Sequence, residues 1–281
     1  MRRQFVRGDD GYEAARRATV WNARIPPRFP DVIVQAKNAD DVVAAIRHSQ
    51  TQQLQVEVCS GGRSWSANHL RDGRLLLDVG RLNRCTIDAE HMVAVVGPGK
   101  DGSVLATELD AQNLFFPAGL CTDVALGGYL LQSGYGWNSR VLGLACESVL
   151  GVDVVTADGR ADPLRRRSSS ESLLGGAWRR ARLLWCFHHV PPRALPAPGD
   201  HRGQHIRLSQ PAVDEVFTWA RAIGADVDRR VEMQVIAAPA LPAVDLDEPG
   251  IVVLAPVFVA TTRRRTKRLR CWTAARWPTR P

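Results

Sequence analysis

No stretch of the 281 residues approaches the roughly 18 consecutive apolar residues of a membrane-spanning helix, so no membrane span is expected. The opening Met1–Asp10 is basic but lacks an apolar core, so no secretory leader is expected and a reduced, cytoplasmic protein is. None of the six cysteines (Cys59, Cys85, Cys121, Cys146, Cys186 and Cys271) forms a Cys-x-x-Cys pair, and no two of them share zinc-finger spacing with a histidine. No metal site is therefore expected, and small buried thiols are the plainest reading. Acids are missing where bases crowd. Residues 262–281 hold seven Arg and one Lys with no acid, and residues 163–205 hold eight Arg against two acids, Glu171 and Asp200.

What is present is 45% hydrophobic, too apolar for a disordered chain and enough for one large domain or two smaller ones. The formal net charge of +8 suggests an acidic partner such as nucleic acid when read over the whole chain. Read locally, the excess belongs to the two Arg-rich windows, and the rest of the chain is mildly acidic.

Between the windows the pattern is regular. Residues 31–36 read as a strand. Asn38 followed by Asp40, Asp41 and the apolar Val42, Val43, Ala45 and Ile46 reads as a capped helix. Leu54, Val56 and Val58 alternate as a second strand, which makes a βαβ unit with parallel strands. Further strands are predicted at 75–79, 92–96 and 149–155, and a helix at 103–114. From about His205 the pattern resumes, with a helix through Val213, Val216, Phe217, Ala220 and Ile223, alternation at Val231, Met233 and Val235, and a strand at 251–260.

Two connections have unusual chemistry. Ser60-Gly61-Gly62 directly follows a strand, and glycine there lets backbone N–H groups approach an anion closely. Taken alone this is equally a tight turn. Pro117 to Gly136 carries Gly119, Gly127, Gly128, Gly134 and Gly136, which suits a backbone lying against a large planar or extended ligand, or else a packing turn. Two such loops beside strands of one α/β region favour a cofactor cradle.

The ordered set of Val20-Trp21-Asn22, Ala39-Asp40-Asp41-Val42, Ser60-Gly61-Gly62-x-Ser64, Pro117-Ala118-Gly119-x-Cys121-x-x-Val124, Gly127-Gly128, Gly134-x-Gly136-x-x-x-Arg140, Gly143-Leu144-Ala145 and Val154-Val155-Thr156-Ala157-Asp158-Gly159 resembles a known family. It is similar to the FAD-binding domain of the vanillyl-alcohol oxidase / p-cresol methylhydroxylase (PCMH-type) class, in its berberine-bridge-enzyme-like branch, over about residues 15–162. The resemblance implies an α+β fold: a two-subdomain PCMH-type FAD-binding domain followed by an incomplete α+β substrate domain. It implies FAD as cofactor, with Ser60, Gly61, Gly62, Arg63 and Ser64 at the pyrophosphate. Pro117, Gly119, Cys121, Val124, Gly127, Gly128, Gly134 and Gly136 would lie along the ribityl chain and ring, and the strand at Val154 beside the flavin. The implied activity is hydride transfer from a small alcohol, sugar or amine to flavin and on to oxygen, with the flavin carrying the chemistry.

The sequence departs from the family pattern at named places. Arg63 stands where the branch commonly has a histidine linked to the flavin, and Cys59 replaces the basic residue before Ser-Gly-Gly. Ala125 replaces a glycine, and Gln132-Ser133-Gly134-Tyr135-Gly136 replaces a Gly-Gly-Gly-Phe-Gly run. Cys121 matches a second attachment point, so a single thioether there is one expectation and a packed thiol the other. The family's catalytic base has no assignable position.

The expected organisation is an N-terminal extension at 1–14, the flavin domain at 15–205, a partial substrate domain at 206–261 and an Arg-rich tail at 262–281. Within the flavin domain, 163–205 is aberrant. Codons exist for Gly175–Val190 that, read one base later, spell the family's Ala-Ala-Arg-Gly-Ala-Gly-Pro-Gly-Phe-Phe-Gly-Val segment. The window, and the tail with it, therefore read as frame-shifted and the chain as truncated. The alternative is a basic protein that binds nucleic acid or an acidic surface through Arg-rich arms on a degenerate flavin scaffold.

Overall fold

The computed structural model describes residues 3–165, 185–190, 204–209, 213–238 and 248–256. Its first strand, β1 (Arg3–Val6), pairs antiparallel with β2 (Val32–Gln35) through Arg3↔Gln35 and Val6↔Val32. Between them α1 (Tyr12–Ala18) buries Tyr12, whose hydroxyl donates to the Pro30 carbonyl at 2.6 Å. The segment read from sequence as an extension thus contains an edge strand and part of a helix. Arg3-Gln4-Phe5-Val6 is too short and too polar to carry a period, and only its pairing with β2 reveals it.

Asn38 caps α2 (Ala39–Thr51), its side-chain oxygen accepting from the Asp41 amide at 2.8 Å. Asp40 and Asp41 sit in the first turn, where the helix dipole favours negative charge. The face carrying Val42, Ala45 and Ile46 packs with β2 and with β4 (Arg74–Asp78) in one buried cluster. A fully buried side chain of this size contributes about 2 kcal/mol. The predicted second strand is β3 (Gln55–Cys59). It runs parallel to β2 as expected, but β4 lies between them, giving the order β1-β2-β4-β3.

A five-stranded antiparallel sheet follows, in the order β5-β6-β9-β7-β8: β5 (Cys85–Asp88), β6 (Val93–Val96), β7 (Gly151–Val155), β8 (Ala161–Arg165) and β9 (Trp185–Val190). β9 comes from the Arg-rich 163–205 window, whose residues 166–184 and 191–203 lie outside the described residues. The helices α3 (Gly102–Asp110) and α4 (Leu126–Leu131) bury Leu105, Leu109, Leu126 and Leu130 with Val96, Val152 and Val154. α3 stops short of the predicted 114. Asn113 takes a left-handed conformation (φ 56°), a common way to end a helix.

The chain divides into two compact units, Met1–Trp137 with Leu144–Ala194 and Asn138–Gly143 with Leu195–Pro281. In the second, α5 (Ser139–Leu142) joins a three-stranded antiparallel sheet of order β10-β12-β11, built from β10 (Gln204–Ser209), β11 (Gln234–Ala238) and β12 (Gly250–Ala255). The predicted helix is α6 (Val213–Ile223), which buries Val216 against Ile251 and Val253. β11 begins later than the alternation from Val231 suggests. In the approach to it, the guanidinium of Arg140 donates to the carbonyls of Val227 (2.8 Å), Asp228 (3.3 Å) and Val231 (3.0 Å). No described helix is long and apolar enough to cross a membrane. The 262–281 tail lies outside the described residues.

Candidate cofactor site

β3 ends at the buried Cys59, and the turn after it is shaped by backbone crowding. Gly62 has φ +66°, and a Cβ there would stand 2.1 Å from the Thr19 carbonyl oxygen. A Cβ on Gly61 would meet the Ala125 Cβ at 2.6 Å. The Gly62 carbonyl accepts from the Trp21 amide at 3.3 Å, and the Thr19 carbonyl accepts from the Cys59 thiol at 3.9 Å. Among the described residues, none accepts a hydrogen bond from the amides of Gly61, Arg63 and Ser64. An array of free N–H groups on one tight turn is a fit for an anionic group such as a phosphate. Ser60 turns its hydroxyl the other way, accepting from the Gly128 amide at 3.2 Å and so tying this turn to the second loop.

The second loop uses its glycines differently. The Tyr129 hydroxyl donates to the Pro117 carbonyl at 2.6 Å. A Cβ would lie 3.4 Å from the Tyr129 ring at Gly119, 3.1 Å at Gly134 (φ +74°) and 2.3 Å from its hydroxyl at Gly136. Gly134 and Gly136 thus make room for Tyr129, together with the Ala145 Cβ at 2.8 Å and the Ala118 carbonyl at 2.2 Å, while Gly119 is in ordinary contact with the ring. Burial raises the Tyr129 pKa, which keeps the hydroxyl a donor. Gly127 donates to the Pro98 carbonyl at 2.8 Å, and a Cβ there would meet Pro98 at 2.9 Å. Gly128 is exposed, with no nearer neighbour to its Cβ position than the Ser60 hydroxyl at 3.8 Å.

The surrounding charges are few. The Arg63 guanidinium is engaged by Asp123 rather than left free. His69 is 8% exposed, and its Nε2 has no partner among the described residues. Burial pushes its pKa down to about 4, opposed by a hydrogen bond to the Thr19 backbone. Burial also raises the Cys59 thiol and the Asp78 carboxyl, the latter restrained by the Gly80 amide (2.9 Å) and the Gln35 amide group (3.3 Å). Among the described residues, no group of His, Cys, Asp and Glu gathers as a metal site.

The structure brings Ser60, Gly61, Gly62, Arg63 and Ser64 beside the loop of Pro117, Gly119, Cys121, Val124, Gly127 and Gly128. Gly61 abuts Ala125, Ser60 reaches Gly128 and Arg63 reaches Asp123. Cys121 is exposed, Val124 is half-buried, and Gly134 and Gly136 are buried under Tyr129. Val154 is buried within β7, flanked by paired strands on both sides. Sequence reading missed Thr19, Asp123, Tyr129 and the glycines that stack three neighbouring turns. A Cβ on Gly80 would meet the Ser60 carbonyl at 2.7 Å, and one on Gly99 the Gly80 carbonyl at 2.2 Å. Gly97-Pro98-Gly99, directly after the predicted strand at 92–96, is the sequence signal for that stack.

A strand-end turn with free amides, joined to a glycine-rich loop on an α+β unit, defines a nucleotide-cofactor domain. Residues 30–162 match the family described as FAD binding domain. The FAD-linked oxidoreductase nodO of Hypoxylon pulicicidum is 32% identical over 262 residues, covering 88% of this chain and 54% of that protein. Berberine bridge enzyme-like 24 of Arabidopsis thaliana is 33% identical over 174 residues, covering 58% of this chain and 32% of that protein. Among solved structures, 6-hydroxy-D-nicotine oxidase from Arthrobacter nicotinovorans shares the fold with a TM-score of 0.76 at 21% identity, over 92% of this chain and 55% of that one. The chain carries an FAD-binding domain, and its fold is the PCMH-type fold of the solved flavoenzymes. Its relatives include FAD-linked oxidoreductases and a berberine-bridge-enzyme-like protein. It spans about half the length of the curated relatives it matches most fully. The comparisons give no support to a nucleic-acid-binding protein.

Proposed function

We propose that this chain is the FAD-holding part of a flavin-linked oxidoreductase that takes hydride from a small alcohol, sugar or amine. The observation that carries the reading is the set of free amides at Gly61, Arg63 and Ser64, set against the 117–128 loop inside the segment that matches an FAD binding domain. Those amides would hold the pyrophosphate, and the loop from Pro117 to Gly128 would hold the ribityl chain and ring. Bound FAD supplies the hydride acceptor. This chain's residues would hold and orient the cofactor.

Titrating the purified chain with FAD tests this directly. Saturable quenching of flavin fluorescence is expected, and a folded chain that leaves free FAD unquenched would refute the reading. Cys121 is the candidate for a single thioether to the flavin, because Arg63 cannot form the linkage a histidine forms. An intact-mass increase lost in Cys121→Ala is the expected result, and an unchanged mass would leave FAD held without a covalent bond.

The same reading takes residues 15–205 as the flavin domain and 206–261 as the start of a substrate domain. The gene sequence around codons 160–205 and from 260 onward tests whether the Arg-rich windows are out of frame. A cytoplasmic location is part of the same proposal. Fractionation of the host cell checks it.

A further inference from the structure

Arg63 stands at a position for which the family resemblance supplies a histidine, and the structure gives it other work. Its Nε donates to the Asp123 carbonyl at 3.1 Å, and its Nη2 donates to the carboxylate of the same residue. One planar fork therefore grips both the main chain and the side chain of a single loop residue, a geometry that Lys cannot reproduce. The loop it grips is thinly tied. Leu120, Cys121, Thr122 and Asp123 are exposed. The backbone hydrogen bonds of the segment run from the Ser103 amide to the Thr122 carbonyl (3.1 Å), from the Gly102 amide to the Val124 carbonyl (3.0 Å) and from the Val124 amide to the Cys121 carbonyl (3.5 Å). The first two tie it to α3, and the third lies within the loop. Arg63 is the tie from the β3 turn, and its side chain is about two-thirds covered, at 32% exposure.

We propose that Arg63 and Asp123 form a latch that holds loop 119–124 against the β3 turn before cofactor arrives, so that the two halves of the cradle are assembled in advance. Arg63 is then a positioning residue. Its charge is met by Asp123, and the free amides beside it are left to receive the anion. This rests on the FAD reading above for its purpose, but not for its existence.

The test pairs two measurements on the full chain: amide hydrogen exchange over 119–124 without FAD, and FAD affinity from fluorescence quenching. Arg63→Met and Asp123→Ala are each expected to speed exchange by about three- to fivefold, the range for a single partly exposed ion pair. They are expected to weaken FAD binding by similar factors. Arg63→Lys, which keeps the charge but not the fork, should resemble Arg63→Met in exchange. The swap Arg63→Asp with Asp123→Arg should recover part of both losses. Unchanged exchange in Asp123→Ala overturns the latch. So does FAD affinity that falls in Arg63→Met but holds in Asp123→Ala, because Arg63 would then serve the cofactor itself. If the parent chain binds no FAD, the functional reading fails while the exchange measurement still decides the latch.

Discussion

The turn after β3 and the loop from Pro117 to Gly136 look alike in sequence, each small-residue-rich and rich in glycine, yet they spend that glycine on opposite tasks. At Gly61 and Gly62 the missing side chains let one backbone press on another, at Ala125 and Thr19, and three amides find no acceptor among the described residues. At Gly134 and Gly136 they also clear space for the ring and hydroxyl of Tyr129, alongside the Ala145 Cβ and the Ala118 carbonyl. Of the glycines in these two loops, Gly128 has the most open surroundings. The first region is therefore held by main-chain closeness and a buried histidine, the second by one aromatic pillar.

Breaking the first region should cost most. Gly62→Ala combines a left-handed backbone with a Cβ 2.1 Å from the Thr19 oxygen, and about 4 kcal/mol of lost stability is expected in urea unfolding. Its dependence on acid should come next. His69 has a pKa of about 4 when folded, below the ordinary value near 6.5, so the unfolded chain binds the proton first. Stability should be complete above about pH 6.5 and fall by about 3 kcal/mol as the pH drops toward 4, a slope that His69→Gln should flatten in thermal melts. The second region should yield less. Tyr129→Phe keeps the ring but removes the bond to Pro117, for an expected loss of about 1 kcal/mol by the same urea assay. Gly128→Ala separates the two regions most finely. Inside α4 it should leave stability unchanged or raise it by about 0.5 kcal/mol, while weakening FAD binding severalfold as the new methyl group meets the cofactor. A destabilised Gly128→Ala with intact FAD affinity would reverse that assignment.

Much of the first sheet was legible because local signals agreed. Asn38, the two aspartates after it and the apolar face of α2 all point to one helix, and β3 and β4 alternate or run apolar as buried strands do. β1 was invisible because four residues hold no period. β9 was invisible because its strand lies among arginines and prolines, and only the β6 and β7 edges give it a place. The βαβ unit was readable but the insertion of β4 between its strands was not, since lateral order depends on the far side of the sheet. In the site, the positions of the glycines were plain in sequence, whereas their purposes were not. What Gly62 or Gly136 avoids is a carbonyl or a hydroxyl tens of residues away or across a turn, and Arg63 meets Asp123 at a separation of 60 residues.

Arg140 has a practical corollary. It lies between the two halves of the first unit along the chain, yet it fastens the carbonyls of Val227, Asp228 and Val231 nearly ninety residues later. The polypeptide thus leaves the first unit after Trp137, contributes six residues to the second and returns at Leu144. No single cut yields two self-sufficient fragments. A piece ending near residue 200 would carry an orphaned guanidinium, and a piece beginning there would lack the fork that organises the approach to β11. Fragments made for crystallisation or for binding assays should be co-expressed, or the later segment grafted with its own copy of Asn138–Gly143.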